Sequence, residues 1–265
     1  MKVRFSQIIG LFVVGTITCM VASTKADWSY DFESPLPASF VFNPIGPPTG
    51  TLSGGIDSGL LRLTDPQVLG GGPPVGGFGA ETSQVFGDVR VSGIVNAAGN
   101  SDDLLGFFVR GPEVFEQCCG PLYTAALDFS SGFLEVFKVV PTPTAMNPPL
   151  ITRSNSPQQG SQPLLTDLDR SYFLEFRVID NVLDARVFEQ PGGAELLHVH
   201  IVDDQGLGGP PLAPGIAGVA AARFAGALDG TFDNLSVTAI PEPSSVLLAV
   251  IGVATLGLRR RRNGS

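Results

Sequence analysis

The chain has 265 residues, 43% of them hydrophobic, with 33 Gly and 22 Pro, enough for one sizeable core in a single all-β domain. Its formal net charge of −9 conceals a more acidic middle. Seven of the sixteen cations (Lys2, Arg4, Lys25 and Arg259 to Arg262) lie at the two ends, leaving nine against 25 Asp and Glu between Asp27 and Pro243, about −16. Such a body repels nucleic-acid phosphates and anionic lipid, which argues against a nucleic-acid partner. Acidic polymers could approach it only through bound divalent cations or local patches.

The N-terminus reads as a secretory signal helix over residues 1–26. Lys2 and Arg4 precede an apolar run from Ile8 to Val21, and Thr24-Lys25-Ala26 offers a cleavage site between Ala26 and Asp27. Beyond it, no helical stripe appears up to residue 238. Short alternating segments rich in Val, Phe, Leu and Thr are split by Gly, Pro, Asp and Asn instead. Strands are expected near 28–33, 59–63, 84–95, 104–110, 122–129, 133–140, 172–179, 182–188, 195–202, 215–224 and 231–238. The Pro/Gly-rich stretches 43–55, 70–79 and 141–163 are expected to be long surface loops.

Two adjacent cysteines, Cys118 and Cys119 in "FEQCCGPLY", remain after signal removal. An oxidising destination favours a disulfide between them. Neighbouring Cα atoms lie about 3.8 Å apart, below the usual disulfide range, so a vicinal bridge would be strained and reducible. Two thiols or one strained ring stiffening a loop is the plainer reading. A redox switch is the sharper one, with neither a Cys-x-x-Cys motif nor a basic helix N-terminus to support it.

One hairpin can be registered by counting. "SYFLEFRVIDNVLDARVFEQ" has two alternating runs joined by Asp180-Asn181, a pair that tolerates positive φ in a two-residue turn. Val178 then faces Leu183, Phe176 faces Ala185 and Leu174 faces Val187 on one side. On the other side Arg177 faces Asp184 and Glu175 faces Arg186, opposite charges worth roughly 0.2–1 kcal/mol per pair. A slip of one residue would scramble both faces. One apolar face per strand, repeated along the chain, predicts two packed antiparallel sheets: an all-β sandwich of the jelly-roll kind.

The strand series "VRVSGIVN", "LLGFFVRG", "YTAALDFSSGFLEVFKVV", "YFLEFRVIDNVLDARVFE", "PGIAGVAA" and "GTFDNLSV" resembles concanavalin A-like (laminin G-like) jelly rolls. In those a Gly-rich "pG-x-x-Gv" strand and a terminal "fDN-x-x-v" strand close the domain. Pro214-Gly215, Gly218-Val219 and Phe232-Asp233-Asn234-Leu235 match them. The superfamily holds lectins, receptor modules and glycoside hydrolases, so the fold alone does not select an activity.

The glucanase branch would imply Glu-x-Asp on one strand, and that triplet occurs nowhere here. Asp102-Asp103, Glu113/Glu116, Asp167/Asp169 and Asp203-Asp204 are carboxylate pairs, but solvated loop acids explain them more simply than a hydrolase. Asp102-Asp103 or Asp203-Asp204 could hold calcium, though no dense Asp-x-Asp-x-Asp-Gly loop is present. No other cofactor is implied. In "ELLHVHIVDD", His198 and His200 share one strand face, where two imidazoles can meet a transition metal. No third ligand is identifiable from the sequence, so a solvent-facing pair opposite Leu197, Val199 and Ile201 is the plainer reading. The triplet Asn234-Leu235-Ser236 matches a glycosylation sequon by accident of strand composition.

The chain ends in "PEPSSVLLAVIGVATLGLRRRRNGS". As a helix, Val246 to Leu258 spans about 20 Å, short of the roughly 30 Å hydrocarbon core. Arg259, Arg260, Arg261 and Arg262 supply a positive-inside stop. Pro241-Glu242-Pro243, a short apolar helix and an arginine cluster, in that order and behind an export signal, resemble the PEP-CTERM sorting signal of Gram-negative bacteria. The resemblance implies export, transient inner-membrane retention, recognition by an exosortase, cleavage near Pro241-Glu242-Pro243 and release to the surface. It further implies a link to exopolysaccharide or biofilm.

The expected organisation is a signal peptide (1–26), a β-sandwich (27–238) and a sorting segment with a short transmembrane helix (239–265). The expected function is a non-catalytic surface or extracellular-matrix protein. A carbohydrate-binding module is the alternative, with extracellular polysaccharide as partner. A glycoside hydrolase would need a carboxylate pair that the sequence does not place.

Overall fold

The computed structural model describes residues 27–45, 52–66, 75–98, 103–113, 120–139, 170–204, 209–223 and 226–240. The expected signal helix and tail helix lie outside these residues. Among the described residues no helix is long and apolar enough to cross a membrane. In chain order the strands are β1 (Asp27–Tyr30), β2 (Phe40–Ile45), β3 (Ser53–Asp57), β4 (Leu60–Asp65), β5 (Val75–Glu81), β6 (Val89–Asn96) and β7 (Asp103–Gly111). They continue as β8 (Leu122–Asp128), β9 (Phe133–Val139), β10 (Tyr172–Ile179), β11 (Val182–Phe188), β12 (Glu195–Val202), β13 (Ile216–Arg223) and β14 (Leu228–Ala239).

Two antiparallel sheets result. Sheet A runs β12-β11-β10-β6-β14-β4-β3, with β1 paired to the far half of β14. Sheet B runs β2-β5-β13-β7-β8-β9. The two-sheet sandwich expected from the sequence is the fold. The β10–β11 hairpin has the counted register: Val178 opposite Leu183, Phe176 opposite Ala185, Leu174 opposite Val187. Asp180 supplies the left-handed residue of the turn at φ 51°. The two expected charge pairs form along the strands instead of across them: Arg177 reaches Glu175 at 3.3 Å and Arg186 reaches Asp184 at 2.8 Å, while Arg170 and Glu189 pair across the open end of the hairpin at 2.6 Å.

The sequence motifs have local causes. In Phe232-Asp233-Asn234, β14 shifts register against β6, and Asn234 turns left-handed with φ 49°. Asn accepts that conformation because its side chain bonds locally, here to Asp233. The strand expected over 84–95 begins only at Val89, because Phe86 instead forms an isolated bridge to Gly215.

The stretches 43–55 and 70–79 correct the loop expectation: they contribute parts of β2, β3 and β5. Their glycines are packing residues. A Cβ on Gly54 would stand 2.4 Å from the Phe42 ring across the sandwich, and one on Gly79 would meet Phe40, Phe42 and Val219 at about 3 Å. The sheets approach closely here because side chains are missing, so the alternation that marks other strands is absent.

The main core lies between the sheets, with Phe107, Tyr123, Leu127, Phe176, Leu183 and Phe232 fully buried. Burying each such side chain contributes about 1.5–3 kcal/mol. Sheet B is also buried on its other face, where Phe78, Phe108, Leu122 and Ile216 cluster. This is why β7 and β8 read as continuous apolar runs rather than alternating ones.

Among the described residues three cations are buried, and all three stand on sheet B and grip the sheet A side. Lys138 on β9 donates to Asp203 Oδ2 at 2.7 Å and to the carbonyls of Gly209 and Pro210 at 2.9 and 2.8 Å, so each ammonium proton has an acceptor. Tyr123 donates to the same Asp203 oxygen and accepts from the Leu212 amide. Arg110 on β7 bonds the carbonyls of Gly87 and Leu212 and pairs with Asp88 at 3.3 Å. At the opposite end Arg223 on β13 donates to the Asp65 carbonyl at 2.8 Å. On the far edge Glu81 accepts from Tyr30 and Ser39, each at 2.9 Å.

Two outcomes follow from these ties. Lys138→Met should destabilise the domain by about 3–5 kcal/mol in urea unfolding, because Asp203 is left charged and unpaired in the interior. Burial, with help from the Glu81 hydrogen bond, pushes the Tyr30 phenol up to about 12. Its contribution is therefore complete below the unfolded value of about 10 and lost as pH rises through the folded one. Melting temperature should fall across that alkaline window in the natural protein and fall less in Tyr30→Phe, measured by circular dichroism.

Candidate functional site

The outward face of β11 and β12 gathers the chain's two histidines around one carboxylate. Alternation along β12 sends Leu197 and Val199 into the core and His198 and His200 outward. The β11–β12 register places Asp184 directly opposite His200 and Arg186 opposite His198. His198 Nε2 stands 2.9 Å and His200 Nδ1 3.2 Å from the same oxygen, Asp184 Oδ2. The three donor atoms all lie within 4.8 Å of one another. Arg186 Nε donates to the other oxygen, Oδ1, at 2.8 Å, and Arg186 Nη1 also pairs with Glu195 at 3.4 Å. Glu195 lies 3.8 Å from the remaining nitrogen of His198, Nδ1.

Partial burial opposes ionisation of Asp184, but hydrogen bonds from Arg186, His198 and His200 outweigh it and hold the carboxyl at about 2. Arg186 is raised in turn, chiefly by its bond to Asp184. The Asp184 side chain is 13% exposed, His198 24% and His200 56%, so the cluster opens to solvent on the His200 side. It joins two imidazole nitrogens to one carboxylate oxygen.

Sequence reasoning found the two imidazoles and missed the third group. Arg177 does face Asp184 across the hairpin, as the counted register expects, but the Asp184 carboxylate makes the contacts above instead of that ion pair. The β11–β12 register shifts between Val187 and Phe188. Counting inward from the Phe188–Glu195 pair without that shift would set Asp184 opposite Val199, on the core row. Only the bulge brings it opposite His200.

The other sequence candidates are placed as follows. Asp27 opens β1, and its Oδ1 accepts the Ala239 amide at 3.1 Å. Asp103 is buried at the start of β7, where it accepts the Asp229 amide. Asp203 is committed to Lys138 and Tyr123, while Asp204 beside it and Glu113 are exposed. The calcium reading of Asp203-Asp204 thus loses one side chain to the interior. Trp28 and Tyr30 are half-buried in an aromatic row with Phe32 and Phe40, and Tyr123 and Tyr172 are fully buried. Ala26, Asp102, Glu116, Cys118, Cys119, Asp167, Asp169, Pro241, Glu242, Pro243 and Arg259 to Arg262 lie outside the described residues.

Comparison with known proteins adds two findings. Residues 239–262 match the PEP-CTERM protein-sorting motif, a span that takes in Pro241-Glu242-Pro243 and all four arginines. No curated protein matches the chain. Among solved structures, a Bacillus subtilis protein of unknown function with a galectin-like fold is similar, at 13% identity and a TM-score of 0.54. That similarity covers 80% of this chain and 94% of that one. The exoplasmic/lumenal domain of VIP36, in its Ca2+/Man3GlcNAc-bound form, is similar at 12% identity and a TM-score of 0.51, over 82% of this chain and 90% of that one. What these structures share with this chain is the fold. The chain thus has a galectin-like fold that runs directly into a PEP-CTERM protein-sorting motif, the mark of an exported protein held transiently at the membrane.

Proposed function

We propose that the protein is exported, recognised by an exosortase, cut near Pro241-Glu242-Pro243 and released as a non-catalytic surface or extracellular-matrix sandwich associated with exopolysaccharide. The observation that carries this reading is how the described sandwich meets the triplet. Among the described residues the last backbone bond is from the Ile240 amide to the Asp88 carbonyl, at 2.9 Å. Pro241 is the next residue and has no amide hydrogen to donate, so cleavage within the triplet spares every backbone bond among the described residues. At the other end Asp27 already pairs with Thr238. Loss of residues 1–26 therefore also spares every described strand. The buried acids Asp103 and Asp203 are held by structural partners, which supports a non-catalytic role.

Carbohydrate binding is the second reading. It is favoured by the likeness to the VIP36 domain, whose structure holds Man3GlcNAc. Tyr123 and Tyr172 are buried and unavailable for stacking on sugars, so a stacking glycan would have to use the half-buried Trp28 and Tyr30.

Protein recovered from the producing strain should have an intact mass lacking both ends; a mass that retains Arg259 to Arg262 would remove the sorting claim. Incubated with the strain's own polysaccharide, the mature domain should co-sediment if it binds glycan and leave chain length unchanged in either case. Saccharide release that disappears with one carboxylate-to-amide change would overturn the non-catalytic reading.

A further inference from the structure

We propose that Asp184, His198 and His200 form a binding site for a divalent transition-metal cation of the zinc class, on the outward face of sheet A. The donor set is the first reason. Two imidazole nitrogens and one carboxylate oxygen suit zinc and its neighbours, which commonly take three protein ligands and one water. Calcium and magnesium prefer oxygen alone.

Geometry is the second reason. Donor atoms bound tetrahedrally at about 2.0–2.1 Å from a metal lie about 3.3 Å from one another. Asp184 Oδ2 stands 2.9 Å from His198 Nε2 and 3.2 Å from His200 Nδ1, so small side-chain rotations open the space between them for an ion. The backbone need not move, because β11 and β12 are hydrogen-bonded neighbours in fixed register.

The surroundings orient the ligands. Arg186 holds Asp184 by Oδ1 and leaves Oδ2 free to coordinate. Glu195 stands 3.8 Å from the far nitrogen of His198, close enough that a small rotation would let it hold a metal-bound imidazole as an outer carboxylate does. β12 is the edge strand of sheet A and His200 is exposed, so the fourth position opens to water. The acidic body, about −16 between Asp27 and Pro243, concentrates divalent cations near this face.

The test uses the full chain in detergent, stripped with chelator and titrated with zinc chloride in a calorimeter. Cys19→Ser/Cys118→Ser/Cys119→Ser serves as the background, so that thiols cannot supply the ligands. The expected result is one equivalent of zinc per chain, undisturbed by excess calcium, with a melting temperature that rises with zinc concentration. His198→Gln and His200→Gln should each weaken binding about tenfold or more, since loss of even an outer partner has that effect. Both side chains face outward, so each variant should keep the metal-free melting temperature. Cobalt in place of zinc should give a tetrahedral visible spectrum that either substitution abolishes. No zinc uptake at millimolar concentration, or uptake of equal strength in both histidine variants, would overturn the site.

Discussion

The buried pair of Lys138 and Asp203 is the constraint on which the rest of the molecule depends. Lys138 stands on β9, the edge of sheet B, and Asp203 follows directly on β12, the edge of sheet A. Two sheets packed by apolar contact alone can slide, because burial has no direction. A buried ion pair with three further acceptors and donors around it fixes one relative position, since any other leaves a charge unpaired in the interior. Asp203 also exchanges backbone and side-chain bonds with Asn181 in the β10–β11 turn. The pair therefore sets the end of the three-stranded segment whose outer face carries Asp184, His198 and His200.

Arg110 and Arg223 repeat the same device. Each is a cation near the end of a sheet B strand, aimed at an aspartate near the end of a sheet A strand. None of the three was legible in the sequence. A cation closing an apolar run reads as the point where a strand reaches solvent, and nothing local distinguishes it from one that reaches across to the other sheet. What was legible depended on local alternation: the β10–β11 register and the apolar face of strands such as β10, β11 and β12. Where Gly replaced side chains, in β3 and β5, the same reasoning yielded loops. There the packing signal was the absence of atoms, visible only once Phe42 and Val219 stand opposite.

The candidate site divides in the same way. Two histidines at alternate positions of a strand share a face, so their company was readable once 195–202 was read as a strand. Asp184 comes opposite them through the register shift within the β11–β12 pair, and such a shift leaves no mark in composition. Metal-like constellations built across strands are therefore harder to read than those built along one helix, where three or four residues of spacing suffice.

The ties also explain how a sorting tail can hang from this fold without disturbing it. Asp88 lies at the centre of one end of the sandwich. Its carboxylate takes Arg110 and the Asp180 amide, and its carbonyl takes the Ile240 amide. The tail thus leaves beside the β10–β11 turn, Arg110 and the first residue of β1, at the most heavily cross-linked end of the domain. Any pull on a membrane-held tail enters through β14, a twelve-residue strand paired to β1 and β4 on one side and β6 on the other. Load is shared across several backbone bonds at once rather than peeling an edge strand. A cut one residue further back would remove the Ile240 bond, and two would also free Asp27 from Ala239. The proline that opens the triplet has no amide to offer the sheet, so the hydrogen-bonded strand ends where the sorting motif begins its distinctive sequence.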